Sequence, residues 1–127
     1  MLLGDDETNV LTDRIIGCAI EVHRELGPGL LEAVYERALC SELIANSIEF
    51  KRQVGVPLYY KGDLLSEHRP DLIVGERVVV EVKSIDRFNP AHTAQLLTCL
   101  RLCRIRVGLL LNFNSAFMRD GFRRVML

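Results

Sequence analysis

The sequence predicts an α/β domain of modest size, in which helices pack against a sheet. Two helical periods come first, strand-like alternation follows, and a later helix precedes a continuous apolar run. The 127 residues fit a single domain over residues 1–127, and 49% hydrophobic residues suffice for a core. The predicted order is helix, helix, three strands, helix and two strands.

Three helices are predicted from apolar spacing and from their start and stop signals. Apolar residues recur at helical spacing over residues 8–26, and Gly27-Pro28 predicts a stop. A second helix is expected at about residues 30–46. Asn89 as N-cap and Pro90 at the first helical position predict a third helix, which extends to about Cys103.

Strands are predicted before and after the third helix. Residues 48–60 alternate as one or two strand segments, and Pro57 indicates an edge position or a bulge. Further strands are expected at about residues 64–74 and 78–84. The run "IRVGLLLNF" predicts a fully buried strand, and "FRRVML" predicts a last strand at an edge.

Apolar patterning predicts the register of the hairpin "RPDLIVGERVVVEVKSI". A three-residue turn from Gly75 to Arg77 collects five apolar residues on one face: Leu72, Val74, Val78, Val80 and Val82. A two-residue turn would instead mix charged and apolar residues on that face. The favoured register places Asp71 directly opposite Glu81, with Lys83 two residues further along the same face.

Two carboxylates at opposed strand positions have a chemical consequence. Their Cβ atoms lie about 5 Å apart, so their charges repel unless a cation or a proton lies between them. A hard divalent cation such as Mg²⁺ binds carboxylate oxygens and keeps several waters. With Lys83 directed to the same place, the set suits metal-assisted attack on a phosphodiester. The alternative is an ordinary exposed hairpin face with a cross-strand ion pair to Lys83.

Several motifs, in order along the chain, resemble one known family. "RPD" followed by "EVK" resembles the motif of the PD-(D/E)XK nuclease superfamily. "GLLEAVYERAL" has Gly29, Glu32 and Tyr35 in the pattern of that superfamily's small GxxExxY proteins, and "AQLLTCLRL" and "GLLLNF" resemble their later helix and strand. The resemblance spans about residues 9–126. It implies a restriction-endonuclease-like core of helix, three strands, helix and strand, with an extra N-terminal helix and a C-terminal strand, the mixed sheet being flanked by helices.

The resemblance also implies roles for individual residues. Asp71 and Glu81 would bind Mg²⁺ or Mn²⁺, and Lys83 would be the catalytic lysine. Glu32 would complete the metal shell, directly or through water, unless it is a solvated helical glutamate. Gln95 would support the lysine or contact a phosphate, unless it is a surface amide.

Three other residues are candidates for the neighbourhood of the site. Tyr35 either forms a hydrogen bond within it or packs in the core. His68 and His92 could lie at its edge, or they are ordinary surface histidines.

The implied function is a divalent-metal-dependent nuclease acting on DNA or RNA. The rival is a non-catalytic module that binds nucleic acid or protein on a nuclease fold. A net charge of -1 requires any nucleic-acid contact to use a local patch, and six arginines between Arg101 and Arg124 make that part of the chain basic. The sequence is compatible with activity as a lone chain, as a homodimer or with a partner chain.

The cysteines and the apolar runs predict a cytoplasmic protein. The sequence contains neither an apolar run long enough to span a membrane nor a signal-peptide pattern at its start. The four cysteines lie within apolar patterns and are interpreted as buried reduced thiols. Cys99 and Cys103, one helical turn apart, could alternatively share a metal.

Overall fold

Three α-helices and seven strands make up residues 5–127, the part of the chain that this computed structural model describes. The helices are α1 (Asp6–Leu26), α2 (Glu32–Ala45) and α3 (Pro90–Cys103), and a short 3₁₀ helix spans Met118–Asp120. The strands are β1 (Phe50–Arg52), β2 (Val56–Tyr60), β3 (Asp63–His68), β4 (Leu72–Val74), β5 (Val78–Lys83), β6 (Val107–Asn112) and β7 (Phe122–Met126).

The helix ends are set by the residues that predicted them. Helix α1 ends at Leu26 because Gly27, at φ 67°, adopts a left-handed conformation that favours glycine. Helix α3 starts at Pro90, and the Asn89 side chain accepts the Ala91 N–H at 2.8 Å. The predicted third helix is thus confirmed at both ends, since α3 ends at Cys103.

The main sheet has five strands in the order β1-β4-β5-β6-β7. Strands β5 and β6 are parallel and α3 connects them, whereas the other neighbouring pairs are antiparallel. Every residue of β6 is buried, and β7 lies at the edge, as predicted for both strands. Helices flanking a mixed sheet form the restriction-endonuclease-like architecture that the resemblance implies.

The strand predicted over residues 64–74 is wrong in its length. It is two strands, β3 and β4, separated at Arg69-Pro70. Pro70 has no N–H to donate to a ladder, so a continuous strand is disfavoured there. Strand β3 instead pairs with β2 in a separate two-stranded sheet, in which Pro57 has the edge position predicted for it. Five strands therefore lie between α2 and α3, where three were predicted.

The hairpin formed by β4 and β5 has the predicted register. Val74 lies opposite Val78 and Leu72 opposite Val80, so the alignment continues to Asp71 opposite Glu81. The face with Leu72, Val74, Val78, Val80 and Val82 packs in one core cluster with residues of α1 and α2. On the other face, Ile73 and Val79 pack against α3. The carboxylate-bearing face of the hairpin is therefore the one that α3 covers in part.

None of the helices described for residues 5–127 combines the length and the apolar character needed to cross a membrane.

Candidate active site

Three of the predicted site residues lie at one end of the central strands of the main sheet. Asp71 directly precedes β4, and Glu81 and Lys83 belong to the last three residues of β5. Since β4 and β5 are antiparallel, the start of β4 meets the end of β5 there. Strand β6 is parallel to β5 and ends beside it, where Asn112 pairs with Lys83.

Asp71 and Glu81 form a pair of neighbouring carboxyl groups. The Val82 N–H donates to Asp71 Oδ2 at 2.8 Å, and the two carboxyl groups are within hydrogen-bonding contact of each other. Burial, together with the Asp71 charge, raises the pKa of Glu81 to about 8, although Lys83 opposes the shift. Burial also raises the pKa of Asp71, against the hydrogen bond from Val82. The pair therefore holds a proton that a cation could replace.

A cavity of about 250 Å³ opens beside this pair on the α3 face. Glu81, Lys83 and Gln95 all line it. His68 and His92 line it as well, so both histidines lie at the edge of the site. The structure thus brings Gln95 of α3 to the same cavity as the two strand residues.

Glu32 contacts the backbone that follows β5. Its side chain is exposed, and Glu32 Oε2 accepts the Ser84 N–H at 3.2 Å. Ser84 Oγ in turn donates to the Leu30 carbonyl at 2.7 Å. Among the described residues, no three His, Cys, Asp or Glu side chains form a group that could hold a metal ion. Glu32 therefore anchors the backbone that follows Lys83, and it does not form a three-carboxylate group with Asp71 and Glu81.

Tyr35 has a packing role. It is fully buried, and its ring stacks on Phe113 with centroids 4.7 Å apart. Its hydroxyl donates to the Gly27 carbonyl and accepts the Leu30 N–H, which joins the two ends of the α1–α2 connection. The packing interpretation of this tyrosine is confirmed.

Glu36 is a site neighbour that the sequence analysis missed. It is 7% exposed and forms an ion pair with Arg52 at 2.7 Å. Gln53 Nε2 bridges Glu36 and Asp71, with distances of 3.2 Å to Glu36 Oε1 and 3.4 Å to Asp71 Oδ1. The charge of Glu36 also contributes to the raised pKa of Asp71. Its position in the helical stripe of Tyr35 and Leu39 was the available signal, because both neighbours are fully buried.

Asn112 is a second residue that the sequence analysis missed. It is 3% exposed, and its amide forms two 3.0 Å hydrogen bonds with the N–H and the carbonyl of Ile85. The Phe113 N–H donates to the Lys83 carbonyl at 2.9 Å. These contacts fix the backbone that follows Lys83. A polar residue at the end of the apolar run "GLLLNF" was the signal.

The cysteines are free thiols. Cys18, Cys40 and Cys99 are buried, as predicted, and Cys103 is half-buried. Cys99 Sγ and Cys103 Sγ lie 3.8 Å apart, and burial, with Cys103 beside it, raises the pKa of the Cys99 thiol to about 12. Cys99 therefore carries a neutral thiol at neutral pH.

The donor set at Asp71 and Glu81 fits a hard divalent cation. Mg²⁺ is commonly bound through one or two carboxylates while waters complete its shell. The two carboxyl groups lie next to each other in a partly buried place, and a bound cation would relieve the repulsion between their charges. Asp71 and Glu81 are thus the residues that would hold the ion.

Comparison with known proteins identifies the family. A sequence model described as the PD-(D/E)XK nuclease superfamily matches residues 9–125. Comparisons with curated proteins and with solved structures gave no match. The match covers nearly all of the sequence, and it includes the strand ends with Pro70-Asp71 and Glu81-Val82-Lys83. This chain therefore belongs to the PD-(D/E)XK nuclease superfamily.

Proposed function

We propose that this protein is a divalent-metal-dependent nuclease of the GxxExxY type, which hydrolyses phosphodiester bonds in DNA or RNA. The observation that carries the proposal is the Asp71–Glu81 pair, two carboxyl groups in contact at a partly buried position. The nearby positive charge of Lys83 acts on Glu81, and both residues line one cavity. Membership of the superfamily supports a nucleic-acid substrate.

Asp71 and Glu81 would hold Mg²⁺ or Mn²⁺. When bound, such an ion supplies Lewis-acid activation of a phosphoryl oxygen and lowers the pKa of a coordinated water. The hydrogen bond from Val82 holds the Asp71 carboxylate in place for this task. Glu32, through its contact with Ser84, would contribute at most through water.

Lys83 and Gln95 would act on the phosphodiester itself. Both line the cavity next to Glu81. The Lys83 ammonium can orient the attacking water or offset the charge that develops on the phosphoryl oxygens. The Gln95 amide can donate a hydrogen bond to a phosphate oxygen, or it can support Lys83. Asn112 and Phe113 hold the backbone on which Lys83 lies, so the lysine is supported by fixed structure.

Cleavage of labelled single-stranded DNA, duplex DNA and RNA in the presence of Mg²⁺, Mn²⁺ or EDTA tests the proposal. Cleavage should require metal and should be lost in Glu81→Gln and Lys83→Gln. Glu76→Gln is a matched control, because Glu76 lies at the tip of the same hairpin and pairs with the exposed Lys51. Cleavage that survives in Lys83→Gln would assign the activity to a contaminant. Metal-independent binding without cleavage would favour the rival function, a non-catalytic binding module.

A further inference from the structure

Arg123 lies one strand beyond the cavity, on the same face of the sheet. Leu110 lines the cavity, and Arg123 is directly opposite Leu110 in the pairing of β6 with β7. Glu81 is opposite Leu110 on the other side of β6. Residues directly opposed across neighbouring strands point to the same face. Arg123, Leu110 and Glu81 therefore form one row across the sheet.

The guanidinium of Arg123 is held by an aromatic stack. It lies over the Phe88 ring, 4.8 Å from the ring centroid. The Phe88 and His92 rings are T-shaped with centroids 6.3 Å apart, and His92 lines the cavity. His92 is itself fixed, because its Nδ1 accepts the Asn89 N–H at 3.1 Å. The stack Arg123–Phe88–His92 therefore leads from the rim into the cavity.

The stack leaves the hydrogen-bond donors of Arg123 available. A guanidinium that contacts a ring through its central carbon leaves N–H groups that can bind an anion. Within residues 5–127, Arg123 forms no ion pair with a carboxylate, whereas the adjacent Arg124 pairs with Asp13 at 2.6 Å. The side chain is also exposed. Arg123 is thus a pre-oriented cation with free donors beside the candidate active site.

We propose that Arg123, stacked on Phe88, binds a phosphodiester of the substrate strand that neighbours the phosphodiester positioned over Asp71 and Glu81. This inference rests on the proposed function and adds a phosphate subsite to it. Planar guanidinium groups match phosphate oxygens in two-point hydrogen bonds. The subsite would hold the register of the strand and would contribute no base specificity, since phosphate contacts position nucleic acid without reading its sequence.

Binding of fluorescently labelled DNA and RNA oligonucleotides, measured by anisotropy with EDTA present, tests the subsite without cleavage. Arg123→Gln should weaken binding about tenfold, as expected for loss of a hydrogen bond to a charged group. The dependence of log Kd on log salt should become shallower by about 0.7 to 0.9, the value of one phosphate contact. The loss should be the same for oligonucleotides of different sequence.

Arg119→Gln is the matched control. Arg119 also lies over a phenylalanine, Phe117, at 5.5 Å, but it belongs to the 3₁₀ helix that packs against α1. The Arg119→Gln substitution removes the same charge as Arg123→Gln and should leave both Kd and the salt dependence unchanged. Equal effects of Arg119→Gln and Arg123→Gln would overturn the subsite while leaving the nuclease proposal intact. A wild-type protein that binds no oligonucleotide in EDTA would also overturn the subsite, whereas the nuclease proposal is tested separately by cleavage with Mg²⁺ or Mn²⁺. Thermal melts of the two variants verify that each is folded.

Discussion

Asp71 and Glu81 face each other across the β4–β5 hairpin and share one partly buried position. The same face holds Ile73 and Val79, which pack against α3, so the two carboxyl groups lie beside a buried apolar cluster. Burial raises the pKa of each carboxyl group, and the charge of Asp71 raises the pKa of Glu81 further. Several consequences of this arrangement are measurable in the metal-free protein.

Replacing Asp71 by Asn should not destabilise the metal-free protein. The substitution removes one of two repelling groups, and the asparagine carbonyl oxygen can still accept the Val82 N–H. The free energy of unfolding of the wild type should rise by about 2.7 kcal/mol at a hundredfold excess of Mn²⁺ over its Kd. Asp71→Asn should lose most of this metal-dependent stabilisation. Thermal melts with Mn²⁺ and with EDTA measure both effects. A structural Asp71–Lys83 pair predicts the reverse: a destabilised variant, and no response to metal in either protein.

The stability of the metal-free protein should fall as pH rises between 4.5, the ordinary pKa of Glu81, and about 8, its pKa in the folded chain. Because the folded-state pKa is raised, the folded protein binds the extra proton in this range. The bound proton therefore contributes its full stabilisation below pH 4.5, and this contribution is lost as the pH rises through about 8. Urea titrations across this range should show the decline in wild type.

The Glu81→Gln variant isolates that effect, since the other titrating groups remain. Its free energy of unfolding should depend less on pH than that of wild type over the same interval. Parallel pH profiles for the two proteins would contradict the raised pKa of Glu81. Metal affinity of wild type should increase with pH, because the ion displaces the shared proton.

Glu36→Gln should destabilise the protein by about 2 kcal/mol, because a buried carboxylate that accepts charged hydrogen bonds is lost. The ion pair with Arg52 is lost with that carboxylate, whereas the glutamine oxygen can still accept from Gln53. Glu32→Gln is the comparison, since Glu32 is exposed and glutamine can still accept the Ser84 N–H. Its effect should stay within about 0.5 kcal/mol. Denaturant titration ranks the two, and an equal or larger effect of Glu32→Gln would refute the assignment of Glu36.

Asn112→Ala should cost about 2 to 3 kcal/mol, because it leaves the Ile85 N–H without its buried partner. Asn114 also donates to the Ile85 carbonyl, at 3.3 Å, so that oxygen keeps one bond. The rate of cleavage should fall by more than the loss of stability explains, because the backbone beside Lys83 is no longer held by the Asn112 amide. Denaturant titration gives the first quantity, and single-turnover rates at a temperature where the variant is folded give the second. A variant with wild-type rates would show that Asn112 does not position Lys83.

Sequence-local signals predicted much of the fold and the central pair. Gly27 and Asn89-Pro90 marked helix ends because capping depends on adjacent residues. The hairpin register followed from the apolar residues alone, because a shift by one residue would bury charges. Pro70 was interpreted as part of a motif, and its effect on strand pairing was overlooked. The separate β2–β3 hairpin was missed for that reason.

The supporting residues of the site depend on long-range contacts. Glu36 meets Arg52 and Gln53, which are 16 and 17 residues away, and Asn112 meets Ile85 at a separation of 27. Periodicity within α2 places Glu36 on a helix face but does not specify the strand that packs there. The role of Glu32 also depends on long-range contacts, since a motif position does not specify the direction of a side chain. Glu32 accepts the Ser84 N–H, and its part in the metal shell stays a prediction.

Calorimetric titration with Mn²⁺ tests the central claim most directly, that Asp71 and Glu81 form a cation site. Wild type should bind the ion, Glu81→Ala should give no binding heat, and Glu76→Ala should match wild type. An absence of binding heat in the wild type, or unchanged binding in Glu81→Ala, would contradict the account.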